Sequence, residues 1–382
     1  MWKNFIFAFF DSHFINYPTP ANLNYAWSFG STAGICLIIQ ILSGIFLAMN
    51  YVPKIDLAAN SIASIMYDVD NGKFIRYMHV NGASFFFISV YCHIFRGIYY
   101  GSYLYPRQYL WWSGVILYIL MMTTAFIGYV LPWGQMSYWG ATVIINMLTI
   151  LPFIGDEIVI WIWGNYTVNN ATLNRFYSFH FVLPFIIVGV TLIHLALLHK
   201  VGSSNPLGVM HKPKKISFYP YFFLKDLFAF SIFILIFTYL LFYKPEMLGH
   251  PLNYEPADPY KTPRHIVPEW YFLPFYTVLR TVPHKAGGIL IMFGLIFLWF
   301  LLPFISKSNI RSSVFRPFLK ILFWLILFNF FFLGWIAPRN YKNDVIVNYA
   351  KSGLITYFLI YILGPILIYK FETYFLKKLL ES

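Results

Sequence analysis

Residues 76–97 read RYMHVNGASFFFISVYCHIFRG, an apolar run that carries two histidines, His79 and His93, 14 positions apart. A helix needs about 20 apolar residues to cross a ~30 Å hydrocarbon layer, and this run supplies them. At 100° per residue, 14 steps complete four turns less 40°, so both rings share one helix face at heights roughly 21 Å apart. Ionisable side chains inside lipid are expensive and mark functional positions by default.

The same spacing recurs further along, where His180 and His194 are again 14 apart in an apolar run. Composition places both runs in a membrane protein. The 382 residues are 59% hydrophobic and 22% aromatic but only 11% charged, far below the about 25% a water-facing globule carries. The net charge of +13 does not point to nucleic acid, because the basic residues fall in loops between apolar spans and form no groove-reading patch. Cys36 and Cys92 both lie within apolar runs, so no disulfide framework, cysteine metal cluster or c-type haem attachment is expected. Met1 to Asp11 lack a signal-peptide pattern.

Eight spans are expected, near residues 27–50, 77–100, 111–131, 175–198, 227–243, 287–305, 320–337 and 353–369, as helices, because lipid leaves open strands unpaired. The fold class is therefore all-α: a polytopic membrane protein with eight transmembrane helices. Residues 1–200 would form a four-helix bundle, and 201–382 a C-terminal region of four spans. Residues 136–163 are apolar enough to cross, but Pro152, Gly155, Asp156 and Glu157 interrupt them, which reads as two short surface helices. Charge supports this topology. Eight spans put fifteen basic and four acidic side chains on the side of the termini, Lys3, Lys200, Lys212 and Glu381 among them. Twelve basic and ten acidic side chains are left for the other side. That asymmetry follows the positive-inside rule, and a ninth crossing at 136–163 would weaken it.

With one span between them, the second and fourth spans run parallel. His79 then sits level with His180, and His93 with His194. Two facing imidazoles at one depth supply the two axial ligands of a six-coordinate iron, and two such levels would stack two haems across the membrane. Glycines repeat the spacing: Gly30 and Gly44 in the first span, Gly114 and Gly128 in the third. A porphyrin pressed against a helix needs a residue without a side chain at the contact. A lone intramembrane histidine is as readily a packing residue, and glycines also serve close helix contact. Matched spacing on four spans favours cofactor binding. Arg76 and Arg96 flank the second span as partners for haem propionates, or else as snorkelling caps.

Two motifs add a resemblance. The run Gly128-Tyr129-Val130-Leu131-Pro132-Trp133-Gly134-Gln135-Met136, the tetrapeptide Pro268-Glu269-Trp270-Tyr271 and the two histidine pairs resemble the cytochrome b family of bc1 complexes over nearly the whole chain. The resemblance implies the catalytic dihaem subunit of a quinol:cytochrome c oxidoreductase of respiratory complex III. Its cofactors would be two b-type haems (iron) and its substrate ubiquinol/ubiquinone, with electron transfer coupled to proton translocation. Glu269 would accept a quinol proton at the His79/His180 side. Tyr129, Gly140, Tyr271, Phe272 and Tyr276 would shape that pocket. Quinone would be reduced beside His93/His194, near Trp27, Ser31, His199, Ser203, Lys225 and Asp226.

Implied partners are a Rieske iron–sulfur protein, cytochrome c1, other complex III subunits, membrane lipid and a second copy of the complex; nucleic acid is not one. The 42 phenylalanines fit an AT-rich organellar genome, so the mitochondrial inner membrane is expected ahead of a bacterial plasma membrane. Lys200 stands where the family usually has an acidic residue, and Pro274 where many members have a non-proline residue. A simpler dihaem anchor, which needs one quinone site and no Pro-Glu-Trp-Tyr loop, and a proton-relaying transporter remain as alternatives.

Overall fold

In the computed structural model, residues 7, 8, 10–209, 214–308 and 310–381 are described, with side chains through residue 378. Lys3, Lys212 and the side chain of Glu381, counted above for topology, lie outside them. Among the described residues eight helices are long and apolar enough to cross a membrane. They are α1 (Phe29–Ala48), α3 (Gly72–Tyr99), α4 (Gln108–Val130), α7 (Asn170–Val201), α8 (Tyr221–Tyr243), α10 (Lys285–Ile305), α11 (Pro317–Ile336) and a last span that begins as α12 (Asp344–Phe358). That last span passes through a π-helical turn at Leu359–Leu363 and continues as α13 (Gly364–Glu381). Between them lie α2 (Ala58–Tyr67), α5 (Gln135–Asn146), α6 (Gly155–Trp163) and α9 (Leu273–Thr281).

Residues 136–163 form two short helices, α5 and α6, as their interrupting Pro and Gly suggest. Observed helices begin and end several residues from the expected bounds. Helix α3 starts at Gly72, so Arg76 sits one turn inside the helix rather than beyond its end. Polar residues there can be helical because the backbone bonds itself. Helix α7 is longer than expected because Asn169 caps it: its side chain accepts from Ala171 N at 2.7 Å, while Thr172 Oγ1 accepts from Asn169 N at 3.0 Å.

Helices α1 and α3 pack along their length, and so do α4 and α7. Between the two pairs the backbones approach far less closely. The C-terminal spans close on α4 through a proline. Pro303, inside α10, has no N–H to offer the carbonyl of Trp299 four residues back. Trp111 Nε1 donates to that carbonyl at 2.6 Å, and the adjacent Trp112 Nε1 donates to the Phe300 carbonyl at 3.0 Å.

Two stitches position the loops. Strand β1 (Pro18–Pro20) pairs antiparallel with β2 (Lys215–Ser217), tying the chain before α1 to the chain before α8. The run from Trp133 to Ser137 docks on residues 253–261. Gln135 N donates to the Glu255 carbonyl at 2.9 Å, Ala257 N to the Trp133 carbonyl at 3.0 Å, and Ser137 N to Asn253 Oδ1 at 2.9 Å. A methyl group on Gly134 would meet the Asn253 carbonyl oxygen at 2.2 Å, so only glycine permits this docking.

Candidate functional site

The four histidines converge in the gap between the two helix pairs. His79 faces His180 with ring centroids 6.2 Å apart, and His93 faces His194 at 6.4 Å. Metal–imidazole bonds run at about 2.0 Å; two of them plus the ring radii need roughly 6.3 Å between centroids. Both gaps fit one metal atom held by two imidazoles.

Hydrogen bonds fix the tautomers. His180 Nδ1 lies 2.8 Å from the Thr124 carbonyl, which only accepts, so Nδ1 carries the proton. Ser43 Oγ donates to the Ile39 carbonyl at 2.6 Å, which leaves its lone pair to receive Nδ1–H of His79 at 2.9 Å. Ser113 Oγ donates likewise to Leu110 and receives Nδ1–H of His194 at 2.8 Å. Three rings therefore present a bare Nε2, the atom a metal takes. His93 differs: its Nδ1 is 2.9 Å from Arg96 Nη2, a group that can only donate. Among the described residues Arg96 Nε is buried without a partner, so a cation stands here in want of an anion.

The glycines also stand directly against the imidazoles. A methyl group on Gly30 would meet His93 Cε1 at 3.1 Å, on Gly44 His79 Cε1 at 3.1 Å, on Gly114 His194 Cε1 at 3.3 Å, and on Gly128 His180 Cε1 at 2.3 Å. Each glycine clears one imidazole, at the levels its spacing predicts. The signal that would have found Ser43 and Ser113 is their place immediately before Gly44 and Gly114. If the His79/His180 pair holds a haem as the resemblance implies, Gly128→Ala should lower its retention, because His180 must move. Gly34→Ala, where a methyl group meets nothing within 4 Å among the described residues, serves as the unaffected control. Reduced-minus-oxidised visible spectra of the two variants check this.

Gly128 leads directly to the second cluster. Its neighbour Tyr129 has a buried hydroxyl without a well-formed hydrogen bond, close enough to the Glu269 carboxyl to favour its anion. Burial outweighs that effect and pushes the Glu269 carboxyl up to about 7. The Glu269–Phe272 segment is a tight turn in which Phe272 N donates to the Glu269 carbonyl at 2.9 Å. Tyr276 hydroxyl donates to the Ile266 carbonyl and pins the approach to this turn. Tyr271 is turned into the core, its ring stacked on Phe87 at 3.9 Å, with Phe272 edge-on to both rings. Gly140 borders open space among the described residues. Pro274 occupies the first turn of α9, where a missing N–H costs nothing, and packs against Gly334.

Two domain models match the chain: "Cytochrome b/b6/petB" over residues 14–202 and "Cytochrome b(C-terminal)/b6/petD" over residues 256–358. The chain belongs to the cytochrome b family. It is 57% identical to cytochrome b of Phytophthora megasperma, over 93% of this chain and 91% of that one. It is 54% identical to cytochrome b of Arabidopsis thaliana, over 94% and 91%. A chain of a hyperthermophilic respiratory complex III superposes with a TM-score of 0.90 at 33% identity, covering 96% of this chain and 97% of that one.

Of the residues expected around a quinone on the other side of this cytochrome b, Trp27 is tied to the His93/His194 level through Arg96, which contacts both Trp27 and His93. Arg96 lies over the Trp27 ring at 5.2 Å, and Trp27 packs on Tyr100 at 4.7 Å. Asp226 is within hydrogen-bonding reach of Ser28 and Ser31. Lys225 Nζ donates to the Leu23 carbonyl at 2.6 Å and sits 4.9 Å from the Tyr25 ring. His199 stacks on Tyr17 at 4.5 Å and lies 5.1 Å from His13. The Ser203 carbonyl accepts from Arg107 at 3.1 Å. Tyr17, His13 and Ser28 were not expected here. The β1–β2 pairing that delivers Tyr17 is three residues long and left no pattern in the sequence.

Proposed function

We propose that this chain oxidises quinol beside Glu269, passes electrons across two b-type haems, one held by His79 and His180 and one by His93 and His194, and reduces quinone near His199 and Asp226. As a cytochrome b, it is the catalytic membrane subunit of a quinol–cytochrome c oxidoreductase and works with other subunits of complex III. The observation that carries the reading is the pair of matched imidazole gaps, 6.2 Å and 6.4 Å, each cleared by two glycines.

Haem bound at these levels supplies one-electron transfer through the low-dielectric interior. The protein does the rest. Thr124, Ser43 and Ser113 hold Nδ1–H of three ligands and leave Nε2 free. His93 would hold the group at this level together with His194, and Arg96, which now points a donor at His93 Nδ1, would turn away from that nitrogen. The freed guanidinium suits a haem propionate, which would answer its present lack of an anion. Arg76, half-buried at the other level, suits the same task.

Quinol oxidation releases two protons, and Glu269, poised near 7, accepts one of them. Its place in the turn beside Tyr129, next in sequence to the glycine that clears His180, supports reading it as the proton acceptor on the His79/His180 side. At the opposite level Asp226, Lys225 and His199 supply protons to a quinone under reduction. Lys200 adds a cation where the family usually has an acid, which favours a reduced, anionic ring. Release and uptake at opposite faces build a proton gradient.

Both cysteines, Cys36 and Cys92, lie inside membrane-spanning helices; the proposed exit for the second electron is a partner Rieske protein and cytochrome c1. The mitochondrial inner membrane and ubiquinone remain the proposed setting and substrate. Redox-titrated visible spectroscopy of the purified complex tests the assignment: two b-type α-band components at separate potentials are expected. A single component would defeat the two-level reading, and none would leave the histidines as packing residues.

A further inference from the structure

Helix α3 does more than carry His79 and His93. Ser84, Phe87 and Tyr91 lie at positions i, i+3 and i+7 of that helix and so share one face. By helical geometry this face is roughly 130° round the helix from the histidines. All three side chains close on the two residues that follow Glu269. Trp270 Nε1 donates to Ser84 Oγ at 3.0 Å. The Tyr271 ring lies flat on Phe87, 3.9 Å between centroids with an interplanar angle of 3°. Tyr91 hydroxyl donates to the Tyr271 carbonyl at 2.6 Å.

The last contact has a direction. Since Tyr91 gives its proton to a carbonyl, the hydroxyl of Tyr118 on α4, 3.0 Å away, must be the donor to Tyr91. Tyr118, Tyr91 and Tyr271 are all buried, and in such surroundings a chain of hydrogen bonds reinforces itself while a lost member leaves an unpaired group. A hydroxyl donor, a stacked ring and a hydroxyl acceptor thus grip one turn from one helix.

We propose that Ser84, Phe87 and Tyr91, with Tyr118 behind Tyr91, are positioning residues that hold the Glu269 turn in fixed register with His79. This rests on the reading of Glu269 as proton acceptor. Two residues of the turn are gripped by the same rigid rod that presents a haem ligand, so the distance from proton acceptor to electron acceptor is set within one helix rather than across a mobile loop. Small errors in such placement cost rate steeply. The same grip keeps the turn dry, and dryness is what raises the Glu269 carboxyl.

Tyr91→Phe and Ser84→Ala, each in the whole complex, test this. Both keep the packing volume nearly intact. The expected result is a kcat for quinol oxidation lower by on the order of tenfold, with KM changed much less. The ascending limb of the pH profile should move below about 7 as water reaches Glu269. Both haem components and quinone reduction at the His93/His194 side should stay as in the wild type. Ser84→Thr, which restores the hydroxyl, should recover the rate, and Tyr118→Phe should shift both readouts in the same direction by less.

Wild-type kcat and an unmoved limb in both variants would overturn the proposal. So would loss of haem components along with the rate, since that means general unfolding. If Tyr91→Phe does not assemble, Ser84→Ala carries the same expectation. A parallel Glu269→Gln complex separates the two failures. If it abolishes the limb while Tyr91→Phe and Ser84→Ala keep both the wild-type kcat and the limb, the grip has no positioning role. If it leaves the limb intact, Glu269 is not the acceptor, and the positioning proposal falls with it.

Discussion

His79→Leu removes one b-type component from the reduced spectrum and leaves the other; His93→Leu removes the other and leaves the first. Leucine is at home in lipid, so the span still forms, but no second imidazole faces His180 or His194 across its gap. The two levels are roughly 21 Å apart along α3, well beyond the range at which substitutions normally couple. Steady-state turnover falls to background in both variants, because an electron must use both levels. Rapid mixing with quinol separates them. Reduction from the Glu269 side still reaches the His79/His180 level in His93→Leu, whereas in His79→Leu neither level is reduced from that side. Loss of both components in each variant would mean that the pairs are not independent, and the assignment of ligands to levels would have to be redrawn.

Glu269→Gln is expected to slow quinol oxidation on the order of 100-fold, the lower end of what a positioned proton acceptor contributes. Glutamine keeps the shape and removes the basic oxygen. The pH dependence gives the sharper test. Burial raises this carboxyl to about 7, so below that pH it is protonated and cannot accept. The wild-type rate therefore climbs through about pH 7 and levels above it, and the variant lacks the climb. Stability runs the other way. The fold favours the protonated carboxyl, whose ordinary value is 4.5, so its contribution is whole below about 4.5. It is lost as pH rises through about 7. The variant's neutral amide escapes that loss, so its thermal unfolding should lie above the wild type at about pH 8 and match it at about pH 4. A variant that is slow at every pH but keeps the climb would transfer the proton-accepting role to another group.

The sequence was informative wherever a physical demand repeats. Four histidines and four glycines at one spacing reported helix, depth and pairing together, because a helix that serves two levels must repeat its chemistry after a whole number of turns. The Pro-Glu-Trp-Tyr tetrapeptide was visible as a motif, yet the residues that grip it were not. Ser84, Phe87 and Tyr91 look like ordinary filling of an apolar span until a loop far along the chain is folded onto them. Tyr17 escaped notice for a similar reason, since a three-residue strand pair has no period to detect. The tautomers depend on carbonyls such as that of Thr124, and every residue owns a carbonyl. Helix ends were placed only roughly because capping by Asn169 and the inward position of Arg76 are decided by neighbours in space.

The arrangement of the first four spans bears on how such a chain is built. Helices α1 and α3 hold each other, α4 and α7 hold each other, and the interval between the pairs is bordered by four imidazoles and four glycines. Whatever ligates all four rings also joins the two halves, one ligand from each side at each level. The free energy of cofactor capture then becomes free energy of tertiary assembly. Iron and porphyrin supply would act as a licence for maturation: a chain that misses its prosthetic groups keeps its membrane helices but leaves its halves ajar, a state that quality-control proteases can tell from the finished subunit.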